Sequence, residues 1–314
     1  MKKWLTLFIL ASLLVISACG GNNKAESNAS NSSSAGENTS NASDTITYQS
    51  ENGPIEVPAN PQRVLVLSSF AGNVMALDVN LVGVDSWSKN NPRFQEQLKG
   101  VEEVTDEDLE KIIELEPDLI IGLSNIKNVD KLKEIAPTVT YTYGKVDYLT
   151  QHLEIGKLLN KEKEAQAWVD DFKQRTQEAG EAIRAKIGED ATVTVVENFD
   201  KQLYVFGDNW GRGTEILYQE MKLNMPDKVK EMALADGYYA LSAEVLPDFV
   251  GDYLIFSKYP ETDFSFLETD TYNNMPAVKN NQVFEVDARE FYFNDPLTLD
   301  YQLEFFKESF LGKE

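Results

Sequence analysis

From Ile46 onward, apolar residues follow two alternating patterns: short continuous runs, and stretches in which they recur every three or four positions. The first pattern suits buried strands and the second suits helices packed on them. "PQRVLVLSS" (61–69) reads as a strand after a proline, "AGNVMALDV" (71–79) as a helix and "LVGVDSW" (81–87) as another strand. In "TDEDLEKIIELEP" (105–117) an acidic first turn precedes Leu109, Ile112, Ile113 and Leu115, and Pro117 ends the helix. "DLIIG" (118–122) is then a buried strand, and "NVDKLKEIAP" with "TVTYTYG" repeats the order. The alternation predicts an α/β lobe with a mainly parallel sheet over residues 46–146.

Between residues 147 and 189 the pattern becomes wholly helical, with good helix formers and no proline. A turn near Asn160 divides it and leaves a helix of about 25 residues, long for a small globular domain. Its heptads are too irregular for a coiled coil, so it is predicted to span from one lobe to another. Residues 190–314 return to α/β order, with "ATVTVVENF" (191–199) and "QLYVFG" (202–207) as strands and "TEILYQEMKL" as a helix. One spacing ties the halves together. Glu110 precedes Asp118 by eight residues ahead of an apolar strand, and Glu244 precedes Asp252 by eight ahead of another, 134 positions on. This predicts a pseudo-duplicated lobe with one glutamate at the start of each short helix. Chance spacing in a Glu-rich chain is the plainer reading.

The start of the chain is different. "MKKWLTLFILASLLVISACG" has two lysines, an apolar run and the chain's single cysteine, Cys19. Residues 1–18 read as an export leader, too short for the roughly 20 apolar residues of a membrane span. Ile16, Ser17, Ala18 and Cys19 resemble the bacterial lipobox, in which the cysteine receives a diacylglycerol before cleavage. Residues 19–45 then form a flexible tether, because Gly, Ser and Asn bury too little surface to offset the entropy of ordering. Removing the leader takes two of 29 basic residues and leaves 27 against 52 acidic ones. That balance argues against nucleic acid, an anionic lipid surface or a highly anionic ligand as partner.

One cysteine excludes a disulfide framework or a CxxC metal site. The one histidine, His152, sits in the predicted linking helix beside Leu153, which argues against a Ser-His-Asp triad, a His-activated cysteine or a two-imidazole zinc site, and it reads as a partly solvated helix residue. Gly207, Gly211 and Gly213 give G-x-x-x-G-x-G, which is neither the dinucleotide fingerprint nor the P-loop. Composition leaves a carboxylate-pair hydrolase open. Binding is the stronger reading: Tyr204, Phe206, Trp210 and Arg212 crowd one glycine loop, and Phe291, Tyr292 and Phe293 lie in "EFYFNDP" after a late strand. In open α/β sheets ligands collect at the carboxyl ends of strands. The plainer reading has Trp210 capping the core and Arg212 pairing with Glu215 on the surface.

With these segments in view, the chain is similar to the siderophore-binding lipoproteins of Gram-positive ABC importers, and among them to the ferric hydroxamate (ferrichrome and ferrioxamine) receptors. The resemblance rests on the lipobox at Cys19, "PANPQRVLVL", "EPDLIIGLSN" with "EIAPTV", "LYVFGDNWGRGTEILYQ" and "FYFNDPLTLDYQLEFF". It implies a class III binding-protein fold of the siderophore/cobalamin type, two α/β lobes joined by one long helix with the ligand between them. It implies that Trp210 and Arg212 face the iron centre, that Tyr204, Tyr292 and Tyr143 wall the groove with Tyr238 beside them, and that Glu110 and Glu244 meet arginines of a permease. Leu123 and Tyr238 depart from the tyrosine and tryptophan of some relatives.

The implied protein is a monomer that catalyses nothing, is lipid-anchored on the extracellular face of the cell membrane and hands its ligand to a permease driven by a cytoplasmic ATPase. Iron is held by the siderophore, so no cofactor and no protein metal ligand is called for. Three monoanionic hydroxamates neutralise Fe³⁺, which suits an acidic protein with one pocket arginine, whereas a trianionic tris-catecholate requires several basic partners. Cobalamin or a mixed citrate-hydroxamate is the alternative within this class. A carboxylate-pair surface hydrolase and an adhesive surface protein are those outside it.

Overall fold

The computed structural model describes residues 45–312. The predicted leader, Cys19 and the tether up to Asp44 lie outside the described residues. The chain enters through an antiparallel hairpin, β1 (Thr45–Ser50) and β2 (Gly53–Pro58), that the apolar pattern did not signal. Tyr48 and Val57 are its buried residues, which is too sparse an alternation to read as strands.

Five parallel strands follow: β3 (Val64–Val66), β4 (Leu81–Val84), β5 (Glu102–Glu103), β6 (Leu119–Leu123) and β7 (Thr138–Tyr141), in the order β5-β4-β3-β6-β7. Its central strands are apolar on both faces, with Val64 to Val66 and Leu119 to Ile121 fully buried, because helices cover the sheet on either side. A second sheet holds β8 (Val193–Phe199), β9 (Gln202–Phe206), β10 (Tyr238–Leu241), β11 (Tyr253–Lys258) and β12 (Val283–Asp287), in the order β10-β9-β8-β11-β12. Here β8, β11 and β12 are parallel, while β9 runs antiparallel to both of its neighbours.

The two sheets are joined covalently through one helical passage. Asp147 caps the helix Tyr148–Leu158 by accepting from the Thr150 N–H at 2.9 Å, and Asn160, at φ 56°, breaks it. The linking helix Glu162–Ile187 is 26 residues long. Its Ala165 belongs to the core of the first sheet, and its Val169, Phe172, Ala179 and Ile183 belong to that of the second. The C-terminal helix Pro296–Leu311 adds a non-covalent tie. Leu299, Leu303 and Phe306 pack under the second sheet, while Leu297 reaches the first core. A Cβ at Gly72 would collide with the buried Asp295 carboxylate that caps this helix, so only glycine permits the approach.

Local side-chain chemistry moves several predicted boundaries. The strand over 81–87 stops at Val84, because the Asp85 carboxylate accepts from the Trp87 and Ser88 N–H groups and starts a helix, Ser86–Lys89. The predicted helix over 105–117 shrinks to Leu109–Glu114, since Asp108 binds the Thr105 N–H at 2.8 Å and holds a turn there. The segment after Thr214 is a π-helix, Glu215–Glu220. His152 is not partly solvated: it is 1% exposed, set edge-on to Trp168 with Asn73 Nδ2 3.3 Å from its Nδ1. Burial alone pulls its pKa down to about 4.

Candidate functional site

The glycine loop explains itself once its backbone is seen. Gly211, Arg212 and Gly213 are three successive left-handed residues, at φ 70°, 57° and 78°. A Cβ at Gly211 would strike the Tyr292 carbonyl and one at Gly213 the Phe306 ring, so the glycines let the loop lie flat on the segment 291–294 and the C-terminal helix. Arg212 is thereby turned inward. Its Nη2 and Nε donate to the two carboxylate oxygens of Glu197 on β8, at 2.8 and 3.2 Å, and its Nη1 donates to the Trp210 carbonyl at 3.1 Å. Glu197 also accepts from the Ser257 hydroxyl at 2.7 Å.

Arg212 is 8% and Glu197 1% exposed. The nearby Glu197 charge and its hydrogen bonds outweigh burial and hold the guanidinium pKa above its ordinary value. A fork-to-fork pair of this kind is charge-neutral as a unit. Three of the five guanidinium N–H groups are thus engaged, which leaves one on each terminal nitrogen. Pairing with Glu215 on the surface is overturned. Glu215 is itself buried and accepts from the Gly211 N–H, Asn294 Nδ2 and the Thr214 hydroxyl, at 2.9, 3.0 and 3.2 Å.

Aromatic rings extend from this pair in two directions. The guanidinium carbon lies 4.4 Å from the Tyr292 ring centre and 4.8 Å from that of Phe206. Tyr292 stacks in turn on Trp87 of the first lobe at 4.6 Å and 20°. In the other direction Trp210 meets Tyr143 of the first lobe edge-on at 5.3 Å and leans on Tyr238 at 5.1 Å, and Tyr238 touches Tyr204 at 5.9 Å. The structure therefore gathers Trp210, Tyr143, Tyr238 and Tyr204 into one chain of rings and Arg212 with Tyr292 into another. Both chains cross between the lobes.

Trp87, Glu197 and Ser257 were not singled out from sequence, although two of them left a signal. Trp87 follows β4 at its carboxyl end, where ligands collect. Glu197 takes the inward phase set by Val193 and Val195, a position at which a carboxylate needs a partner. A cavity of about 860 Å³ opens beside Trp210 and Tyr143, and a smaller one of about 280 Å³ is bounded by Trp87, Tyr259, Arg289 and Tyr292. Among the described residues no group of three or more His, Cys, Asp or Glu side chains is placed to hold a metal.

Glu110 and Glu244 lie outside this site, both on the surface. Glu110 is the second residue of its short helix, whereas Glu244 sits in a turn ahead of the 3-10 turn Leu246–Asp248. Their eight-residue partners are equivalent. Asp118 accepts from the Gln62 and Arg63 N–H groups ahead of β3, and Asp252 accepts from the Thr192 N–H ahead of β8. Each aspartate thus ties a central strand to its next neighbour in the sheet.

Comparison with known proteins agrees with this architecture. Residues 68–290 match the periplasmic binding protein family. The Iron(3+)-hydroxamate-binding protein FhuD of Bacillus subtilis (strain 168) is 35% identical over 315 residues, 98% of this chain and 97% of that protein. The FhuD protein from S. pseudintermedius superposes with a TM-score of 0.78 at 35% identity, over 86% of this chain and 99% of that one. FhuD2 from Staphylococcus aureus with bound ferrioxamine B superposes with a TM-score of 0.76 at 34% identity, over 80% and 98%. With two such sheets, a groove walled by rings from both lobes and this match over most of its length, the chain belongs to the periplasmic binding protein family.

Proposed function

We propose that this protein captures ferric hydroxamate siderophores between its two lobes and delivers them to an ABC permease for iron uptake. The observation that carries the reading is the Arg212–Glu197 pair, an arginine whose charge is already cancelled and which lies among aromatic faces. A tris-hydroxamate complex of Fe³⁺ is uncharged and needs no counter-charge. Its oxygens accept the remaining guanidinium N–H groups, and its carbon skeleton rests on Trp210, Tyr292, Tyr204, Tyr238 and Tyr143. A tris-catecholate would bring three negative charges against an arginine whose charge Glu197 already cancels, which is costly. The named relatives, hydroxamate-binding proteins among them, favour the same ligand class.

In the same reading Cys19 carries the lipid that tethers the protein to the extracellular face of the membrane. Glu110 and Glu244 are the permease contacts, one per lobe, and the protein acts as a monomer. The test is tryptophan fluorescence of residues 45–314 titrated in parallel with ferrioxamine B, ferrichrome and a ferric tris-catecholate. Saturable quenching by the two hydroxamates alone is expected. Quenching by the catecholate alone would overturn the reading.

A further inference from the structure

The 860 Å³ cavity beside Trp210 and Tyr143 does not end at those rings. It continues to the place where the linking helix meets the π-helix Glu215–Glu220, and Lys173, Lys222, Tyr148, Gln151 and Glu220 line it there. The carboxylates of this lining have neutral donors for the most part, which hold them in place without cancelling their charge. Glu220 accepts from the Tyr148 hydroxyl at 2.8 Å, Asp147 caps its helix, and Glu215 is bound as described above. Asp208 is the exception, and it stands two residues from Trp210. The lysines at the helix end are free: neither the Lys173 nor the Lys222 ammonium group has a partner among the described residues.

From these unfilled donors we infer that the cavity takes an anionic arm, a carboxylate carried by the siderophore whose iron core rests against Arg212 and Tyr292. The inference depends on the function proposed above and refines it. An uncharged iron core gives no electrostatic preference, so discrimination between ligands falls to what hangs from the core. A carboxylate has two oxygens and about four lone-pair directions, enough to satisfy two ammonium groups. A free carboxylate binds such a half-open site weakly, whereas one tethered to a bound core arrives at high effective concentration.

The experiment compares two ligands with the same iron core: ferrioxamine B, whose tail ends in an ammonium group, and its N-succinyl derivative, whose tail ends in a carboxylate. Each is titrated calorimetrically into residues 45–314 and into the Lys173→Gln, Lys222→Gln double variant, at low and at high salt, with free succinate as competitor. The wild type is expected to bind the succinyl form about tenfold more tightly, through charge-assisted hydrogen bonds. That preference should shrink in salt and vanish in the double variant, while the affinity for ferrioxamine B is kept within about twofold. Equal affinities, a preference for the ammonium tail, or a preference that survives the double variant would each overturn the inference. Competition by free succinate as strong as by the tethered arm would assign the cavity to a free anion instead. Failure of both ferric ligands to bind would overturn the function on which it rests.

Discussion

The two sheets share a strand order and differ in the sense of one strand, and the buried Arg212–Glu197 pair lies where they differ. In the first lobe β3 reaches β4 through a crossover that includes the helix Ala71–Ala76, so the pair is parallel. In the second lobe β8 returns into β9 through a two-residue turn, Asp200 and Lys201, both left-handed, and the pair is antiparallel. The chain leaving β9 becomes the loop 207–213, which sets Arg212 on Glu197 of β8. The first lobe, which keeps the crossover, offers neutral rings to the groove, Trp87 and Tyr143. A duplicated plan thus supplies two similar walls, and one broken repeat supplies the polar contact.

Arg212→Ala is the sharpest way to break this asymmetry. It leaves the Glu197 carboxylate buried and unpaired, and losing one member of a buried pair costs about 3–5 kcal/mol. Urea denaturation should show that loss, and pairing the change with Glu197→Gln should recover a large part of it. A loss below about 1 kcal/mol would mean that Glu197 finds water and that the pair is not buried in solution. Binding of ferrioxamine B should weaken as well, by the worth of charge-assisted hydrogen bonds, about 1.5–3 kcal/mol.

A second comparison sets two titratable groups at the junction of the lobes against each other. His152 is buried and neutral, with its pKa lowered from 6.5 to about 4 by burial. As pH falls from 6.5 towards 4 the unfolded chain takes up a proton that the folded one refuses, so stability is lost, by about 3 kcal/mol at 1.36 per unit. Asp295 caps the C-terminal helix against Gly72, and burial raises its pKa from 3.8 to about 6. Its contribution is fully present below 3.8 and is lost as pH rises through 6, by a similar amount. The two trends nearly cancel between pH 4 and 6. His152→Leu should therefore become more stable relative to wild type as pH falls from 7 to 4.5, whereas Asp295→Asn should become less stable relative to it. Parallel slopes in all three proteins would show that neither group titrates abnormally.

Much of the plan was legible because it rests on periodicity. Strands such as Leu119–Leu123 and Val193–Phe199 are continuous apolar runs, and the linking helix lacks any residue that would stop it before Gly188. The ring-bearing loop was legible from composition alone. What escaped depends on distant partners. The register of Glu197 makes sense only with Arg212 fifteen residues on and Ser257 sixty on. Trp87 belongs to a helix started by the Asp85 side chain, so its orientation towards Tyr292 cannot be read from a strand pattern. The burial of His152 escapes in the same way, because nothing in its own helix marks that face as covered, whereas Asn73 and Trp168 come from other elements to enclose it.

Trp87→Ala tests what the first lobe contributes. It removes the ring stacked on Tyr292 without touching the guanidinium, and loss of an aromatic ring that a ligand covers costs about 2 kcal/mol of binding. The expected result is a ferrioxamine B affinity about thirtyfold weaker, with fold stability nearly unchanged because the side chain is 40% exposed. Unchanged affinity would leave Tyr143 to carry whatever the first lobe contributes to binding.

The smallest effect on the isolated protein is expected where the two lobes are most alike. Glu110 and Glu244 are exposed, and each precedes by eight residues an aspartate that holds two central strands together. Neither touches the rings or the Arg212 pair. Glu110→Ala with Glu244→Ala should leave stability within about 0.5 kcal/mol of wild type and ligand affinity unchanged, yet abolish uptake of radiolabelled ferric hydroxamate by cells. If the two carboxylates meet the permease as a matched pair, either single change should cause much of that loss. Normal uptake in the double variant would reduce their shared spacing to a by-product of the strand plan, and weakened ligand binding would move them from the transporter face into the groove.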